Sequence, residues 1–126
     1  MKNVPYFLCK LSQYTLLAFA FVMSCTALLF GQTPAPRVLV FSKTAAFRHA
    51  SIEVGKPAFQ KMAKEKGFVV DLTEDATQFN TENLKRYRAV VFLSTTGNVL
   101  NDAQQSEFER YIQAGGGYLG IHAATD

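Results

Sequence analysis

Gly115-Gly116-Gly117-Tyr118-Leu119-Gly120-Ile121-His122-Ala123-Ala124-Thr125-Asp126 is the last stretch of the 126-residue sequence, and its reading decides the fold. Glycine punctuation leads into a short apolar segment, with polar and ionisable residues where that segment ends. The pattern is that of a strand, predicted over Tyr118–His122, delivering side chains to a loop. Ligands of open α/β sheets bind at the carboxyl ends of the strands. His122 therefore falls at the rim of a site and Asp126 just beyond it. Because the sequence stops inside this loop, the chain is expected to be the N-terminal part of a longer domain.

Working back from this stretch, three further apolar runs alternate with helical patterns. Ala89–Ser94 is apolar up to its last residue, and Arg37–Ser42 is so after Arg37, as suits strands buried on both faces of a parallel sheet. Phe68–Thr73 is a third, and Asp71 within it suggests a place near the sheet edge. Between the first two runs a helix is predicted from about Glu53 to Lys66. Ser51 is its N-cap, its start lies near Val54 to keep Pro57 in the first turn, and Gly67 stops it. Val54, Ala58, Phe59 and Met62 form its apolar face. Glu74–Asn80 reads as a polar loop. Thr81 caps a short helix over Glu82–Tyr87, with Leu84 and Tyr87 inward. Asn101 or Asp102 caps another through Ala114, faced by Phe108, Tyr111 and Ile112.

Strands alternating with helices give βαβ units, hence an α/β fold: a three-layer, doubly wound parallel sheet of about four strands. In the common 2-1-3-4-5 order the first and third strands are neighbours and the fourth follows the third. Loops starting at Ser42, Ser94 and His122 then converge on one rim.

The first thirty residues have a different character. Lys2 and Lys10 precede an apolar run, Leu16 to Phe30, that ends in small and polar residues, the pattern of a secretory signal. Residues 1–31 are expected to be removed after Gly31, leaving 32–36 as a short Pro-containing leader and 37–126 as the domain. The product would be secreted or periplasmic. The run is short for a membrane span. Val22-Met23-Ser24-Cys25 resembles a lipoprotein processing box, so contact with a membrane is expected only through the signal or through lipidation at Cys25. Without Lys2 and Lys10, Lys+Arg falls from 13 to 11 against 10 acidic residues, and the net charge drops from +3 to near +1. This balance gives no support to a nucleic-acid partner. Both cysteines, Cys9 and Cys25, lie in the signal, so the domain has no thiol for catalysis, disulfide or metal.

His49 and His122 are the two histidines of the sequence, and the topology brings both to the rim. Imidazoles there suit acid–base work or metal ligation. Asp126, four residues after His122, is the third candidate for either role, and a bound divalent metal is one reading of the trio. Arg48 can hold a carboxylate or a sugar hydroxyl, and Thr95-Thr96-Gly97 offers hydroxyls and a backbone open to a ligand. The plainer alternatives are histidines bonded to backbone, a solvated arginine and an ordinary strand-to-helix turn. Ser42-Lys43-Thr44 resembles the phosphate loop of flavodoxins but lacks its glycine. No HExxH, CxxC or Walker pattern is present.

Val38–Thr44 running into Phe47-Arg48-His49, then Thr73-Glu74-Asp75, Val91–Gly97, and Phe108–Ile112 through Gly115-Gly116-Gly117 to Asp126 together resemble the ThuA-like (trehalose-utilisation) family. The resemblance implies a fold similar to class I glutamine amidotransferases. In those enzymes a strand like Leu119-Gly120-Ile121 is followed by the nucleophilic cysteine, whereas here His122 stands in that place. Thiol-dependent glutamine hydrolysis is thereby excluded. The resemblance further implies a small-molecule carbohydrate ligand and a role in its utilisation, with hydrolysis of a sugar or keto-sugar derivative as the expected chemistry. A non-catalytic sugar-binding or interaction domain, and a flavin-binding flavodoxin relative, are the alternatives.

Overall fold

A computed structural model describes residues 33–124. The described residues from Ala35 onward form one compact unit. The expected signal segment and lipidation box lie outside the described residues, as does Asp126. No helix among the described residues is long and apolar enough to cross a membrane.

Four parallel strands alternate with helices: β1 (Arg37–Phe41), α1 (Ser51–Lys66), β2 (Val69–Thr73), a 3-10 turn (Ala76–Gln78), α2 (Thr81–Leu84), β3 (Ala89–Leu93), α3 (Asp102–Gln113) and β4 (Gly117–Ile121). The sheet order is β2-β1-β3-β4, as the expected winding requires. Leu39 pairs with Asp71 on one side and Val90 on the other, and β3 continues in register to β4, Val91 opposite Leu119.

Side chains alternate along each strand, which divides the core in two. Leu39, Phe41, Val90 and Phe92 face Leu84, Tyr87, Val99 and Tyr111, the α2–α3 side. Val40, Val91 and Leu93 face Phe59 of α1. The result is three layers with helices on both faces. The first face is built from aromatics: Phe41 meets Phe79 edge-on at 4.7 Å, and Phe92 stacks on Phe108 at 5.3 Å. Asp71 lies on the edge strand β2, as expected, where it takes the Arg37 guanidinium at 2.5 Å and the Tyr87 hydroxyl at 2.8 Å.

Several local expectations are corrected. Helix α1 begins at Ser51 rather than Glu53–Val54, after Ala50, which makes no side-chain cap, and Pro57 lies inside the helix. The buried Ile52 explains the earlier start, because the first turn is held by packing where a cap is missing. The inward face is Ile52, Phe59 and Ala63, while Val54, Ala58 and Met62 are exposed. Asn80, not Thr81, caps α2, and that helix ends at Leu84. The polar loop 74–80 contains the 3-10 turn, capped by Asp75, and it buries Ala76 and Phe79. Phe79 is drawn in by the Phe41–Phe92 cluster, which a local pattern does not reveal. Ile112 is largely exposed. Asn101 caps α3 with a full capping box through Gln104, and Gly67 ends α1 in the left-handed region at φ 72°.

Candidate functional site

The rim above β1, β3 and β4 is assembled around the tripeptide Ser94-Thr95-Thr96 at the end of β3. All three residues are buried, and Ser94 has φ 50°, unusual for a residue with a side chain. Each reaches a different partner. Ser94 Oγ lies 3.4 Å from Ser51 Oγ at the start of α1. Thr96 Oγ1 donates to the Phe47 carbonyl at 2.7 Å, and the Thr96 carbonyl accepts from Ala45 N–H at 2.8 Å. Thr95 Oγ1 donates to the Ala124 carbonyl at 3.5 Å, where the Tyr118 hydroxyl also donates at 3.4 Å. Thr96 thus pins the loop that carries His49, and Thr95 pins the turn that follows His122.

Gly97 completes this junction. It sits at φ 69°, and a Cβ there would lie 3.4 Å from the Cβ atoms of Ala45 and Ala46. A bare backbone in the left-handed region lets the first loop close over the third. Thr95, Thr96 and Gly97 are therefore occupied in holding loops together.

Held this way, His49 and His122 come together: their ring centroids are 4.3 Å apart with the planes inclined at 52°. His122 has φ 60° immediately after β4. A left-handed non-glycine residue at a strand end is a strained conformation, held by surrounding contacts and often found where a side chain must be presented. Its Nδ1 accepts the Ala123 N–H at 2.7 Å. In the neutral ring the proton therefore resides on Nε2, making that nitrogen a hydrogen-bond donor. The Phe47 ring stands edge-on to His49 at 4.9 Å and is 70% exposed.

Arg48 points away from the pair. Its two terminal nitrogens reach the Glu74 carboxylate at 3.1 and 2.9 Å, and one also reaches Glu53 at 2.6 Å. Lys56 adds a contact to Glu74 at 2.5 Å. Hydrogen bonds from Arg48, then from Lys56, pull the Glu74 carboxyl down to about 2. The cluster ties the His49 loop to the end of β2 and to α1.

Two adjoining cavities open on the same rim. One, of about 270 Å³, is lined by Phe92, Phe108, Thr95, Gly97 and the Ala123–Ala124 turn that follows His122 in the chain. The other, of about 620 Å³, is polar and extends towards Lys43 and Asp75. Among the described residues no group of three His, Cys, Asp or Glu side chains is placed to hold a metal ion. Asp126, the third member of the predicted trio, is not among them.

The histidines were visible in the sequence as candidates. Phe47 and Glu74 stand in the sequence only as parts of the family motifs and not as site candidates, although Glu74, directly after a strand and beside Asp75, carries the strand-end signal that marks His122.

Residues 37–126 match a family model described as ThuA, trehalose utilisation. A ThuA-like protein from Bacteroides uniformis, known from its crystal structure, superposes with a TM-score of 0.61 at 31% identity, over 76% of this chain and 40% of that one. The chain therefore spans about two fifths of that relative's length. A search of curated proteins finds no match. These two matches bear out the family resemblance and the doubly wound α/β fold expected from the sequence.

Proposed function

This chain belongs to the ThuA, trehalose-utilisation, family, and from that premise we propose that it is an exported carbohydrate-processing domain in which His49 and His122 act together on one bound sugar. The reading is carried by the 4.3 Å approach of two imidazoles delivered from different strands. In hydrolysis of a glycosidic bond, neutral His122 hydrogen-bonds the leaving oxygen through Nε2–H and steadies its developing charge as the C–O bond breaks. A water attacks the anomeric carbon and gives its proton to His49, and the resulting imidazolium passes that proton to the leaving oxygen. Each positioned acid or base of this kind contributes about 10²–10⁴-fold to rate.

Direct proton transfer is favoured over a metal held by His49, His122 and Asp126. With Nδ1 engaged by Ala123, His122 could ligate through Nε2 only by losing that nitrogen's proton or releasing the backbone. Thr95, Thr96 and Arg48 act as positioning residues for the two loops. The exposed Phe47 ring offers an apolar surface to the C–H face of a sugar next to His49. Export follows from the apolar run Leu16–Phe30 behind Lys2 and Lys10.

The test is turnover of trehalose and related glycosides by His49→Ala and by His122→Asn, which keeps a residue tolerant of positive φ. Both variants should lose activity by at least about a hundredfold while keeping the wild-type thermal midpoint. Full activity in both, or loss only through unfolding, makes the histidines structural.

A further inference from the structure

We propose that the polar cavity adjoining the one at the Ala123–Ala124 turn is a second sugar subsite, so that the rim takes a two-ring saccharide with Asn98 at the junction. The proposal rests on the carbohydrate reading above and extends it. The two cavities are contiguous, since Asn98, Val99, Leu100 and Gln105 line both. The cavity at the Ala123–Ala124 turn is lined by Phe92 and Phe108 together with Gln105 and Glu109. Aromatic rings and polar groups in one lining suit the amphipathic ring of a sugar. At about 270 Å³ it is small for a disaccharide, whereas the neighbouring 620 Å³ leaves room for another ring.

The chemistry of the second cavity points to a neutral polyhydroxylated ligand. The cavity lining sets Lys43 among the carboxylates of Glu74, Asp75 and Asp102 and the amides of Asn98, Asn101 and Gln104. Glu74 is already paired with Arg48 and Lys56. A phosphate or carboxylate would meet the acids, and an amine would meet the lysine. Hydroxyl groups both donate and accept, so they can satisfy a mixed set of this kind.

Several of these groups already have structural work. Asp75 caps the 3-10 turn, Asn101 and Gln104 form the capping box of α3, and Lys43 Nζ donates to the Val99 carbonyl at 3.2 Å. The lysine contact fixes the width of the groove by joining the β1 and β3 loops. The side chains of Asn98 and Asp102 make no hydrogen bond among the described residues, and both are exposed to the groove. They are the groups free to read a ligand.

The experiment measures binding of trehalose (two rings) and of glucose (one ring) to the wild-type protein, Asn98→Ala and Asp102→Asn. Wild type should bind trehalose more tightly than glucose. Asp102→Asn, at a residue that lines the second cavity alone, should weaken trehalose about three- to tenfold, as loss of a charge-assisted hydrogen bond does, and leave glucose within about twofold, while Asn98→Ala at the junction should weaken trehalose by about as much. Unchanged trehalose affinity in Asp102→Asn overturns the subsite, as does an equal loss for both sugars in that variant. If the subsite fails while His49→Ala still abolishes turnover, the histidine reading stands. If wild type neither binds nor turns over either sugar, the carbohydrate reading fails and the subsite fails with it.

Discussion

Gly116→Ala should destabilise the domain through a single collision. A Cβ built at Gly116 lies 2.3 Å from Tyr111 Cζ and 2.4 and 2.5 Å from its Cε atoms, and the backbone there has no positive φ to excuse the glycine. Carbon atoms at rest stand about 3.5–4.0 Å apart, so the ring must move by about an ångström. It has little freedom to do so. Tyr111 is buried, stacks on Phe108, and donates through its hydroxyl towards the carbonyls of Tyr87 and Gly117 at 3.3 Å each. Overpacking of this kind costs about 1–3 kcal/mol, and weakening those long hydrogen bonds adds up to about 1 kcal/mol. Reduced freedom of the unfolded chain returns about 0.4–1 kcal/mol. The net loss is about 2 kcal/mol, a large share of the about 5–15 kcal/mol that holds a domain. In urea unfolding, with a slope of about 1–3 kcal/mol/M, the midpoint should fall by about 1 M. The same substitution in a Tyr111→Leu background, which lacks the colliding ring atoms, should cost less than about 0.5 kcal/mol. An unshifted midpoint for Gly116→Ala, or an equal loss in both backgrounds, refutes the collision.

Glu74 supplies a pH dependence: its folded carboxyl is held at about 2 against an ordinary 4.5. A depressed carboxyl stabilises the fold above the unfolded value, and that contribution is lost as pH falls from about 4.5 towards 2. The site is partly exposed and screened, so the effect should be about 1 kcal/mol or less. Glu74→Gln should flatten that part of the acid-unfolding curve, and an unchanged slope contradicts the assignment. Asn101→Ala removes the capping box of α3 and should cost about 1 kcal/mol in chemical unfolding, while Asn101→Asp should restore most of it. The exported protein should begin near Gln32 on N-terminal sequencing. A retained Met1 or a lipidated Cys25 contradicts that cleavage.

Much of the fold was legible because βαβ alternation fixes parallel pairing and hand once each strand is recognised, and the common winding order places the strands. Val38–Phe41 and Ala89–Leu93 are buried on both faces and read as such. What escaped was decided across the chain. The inward face of α1 was placed only at Phe59, because Ile52 and Ala63 are selected by their packing, while Val54, at helical spacing from Ala58, faces solvent. Phe79 sits in a stretch of otherwise polar residues, and only the Phe41–Phe92 cluster makes it core. At the site, topology predicted that the two histidine loops would share a rim. The means of holding them did not follow from the same reasoning. Thr95 and Thr96 read as ligand hydroxyls, yet each donates to a carbonyl of a distant loop. Arg48 read as a ligand-binding cation, and its partners come from α1 and from the end of β2.

The central claim is that His49 and His122 work as one unit, and a double-mutant cycle on turnover tests it most directly. Trehalose turnover is measured for wild type, His49→Ala, His122→Asn and the double variant, each confirmed folded by its thermal midpoint. Groups that act together are strongly non-additive. The double variant should therefore be about as active as the weaker single variant. Losses that multiply, with each ring contributing independently of the other, contradict a shared site.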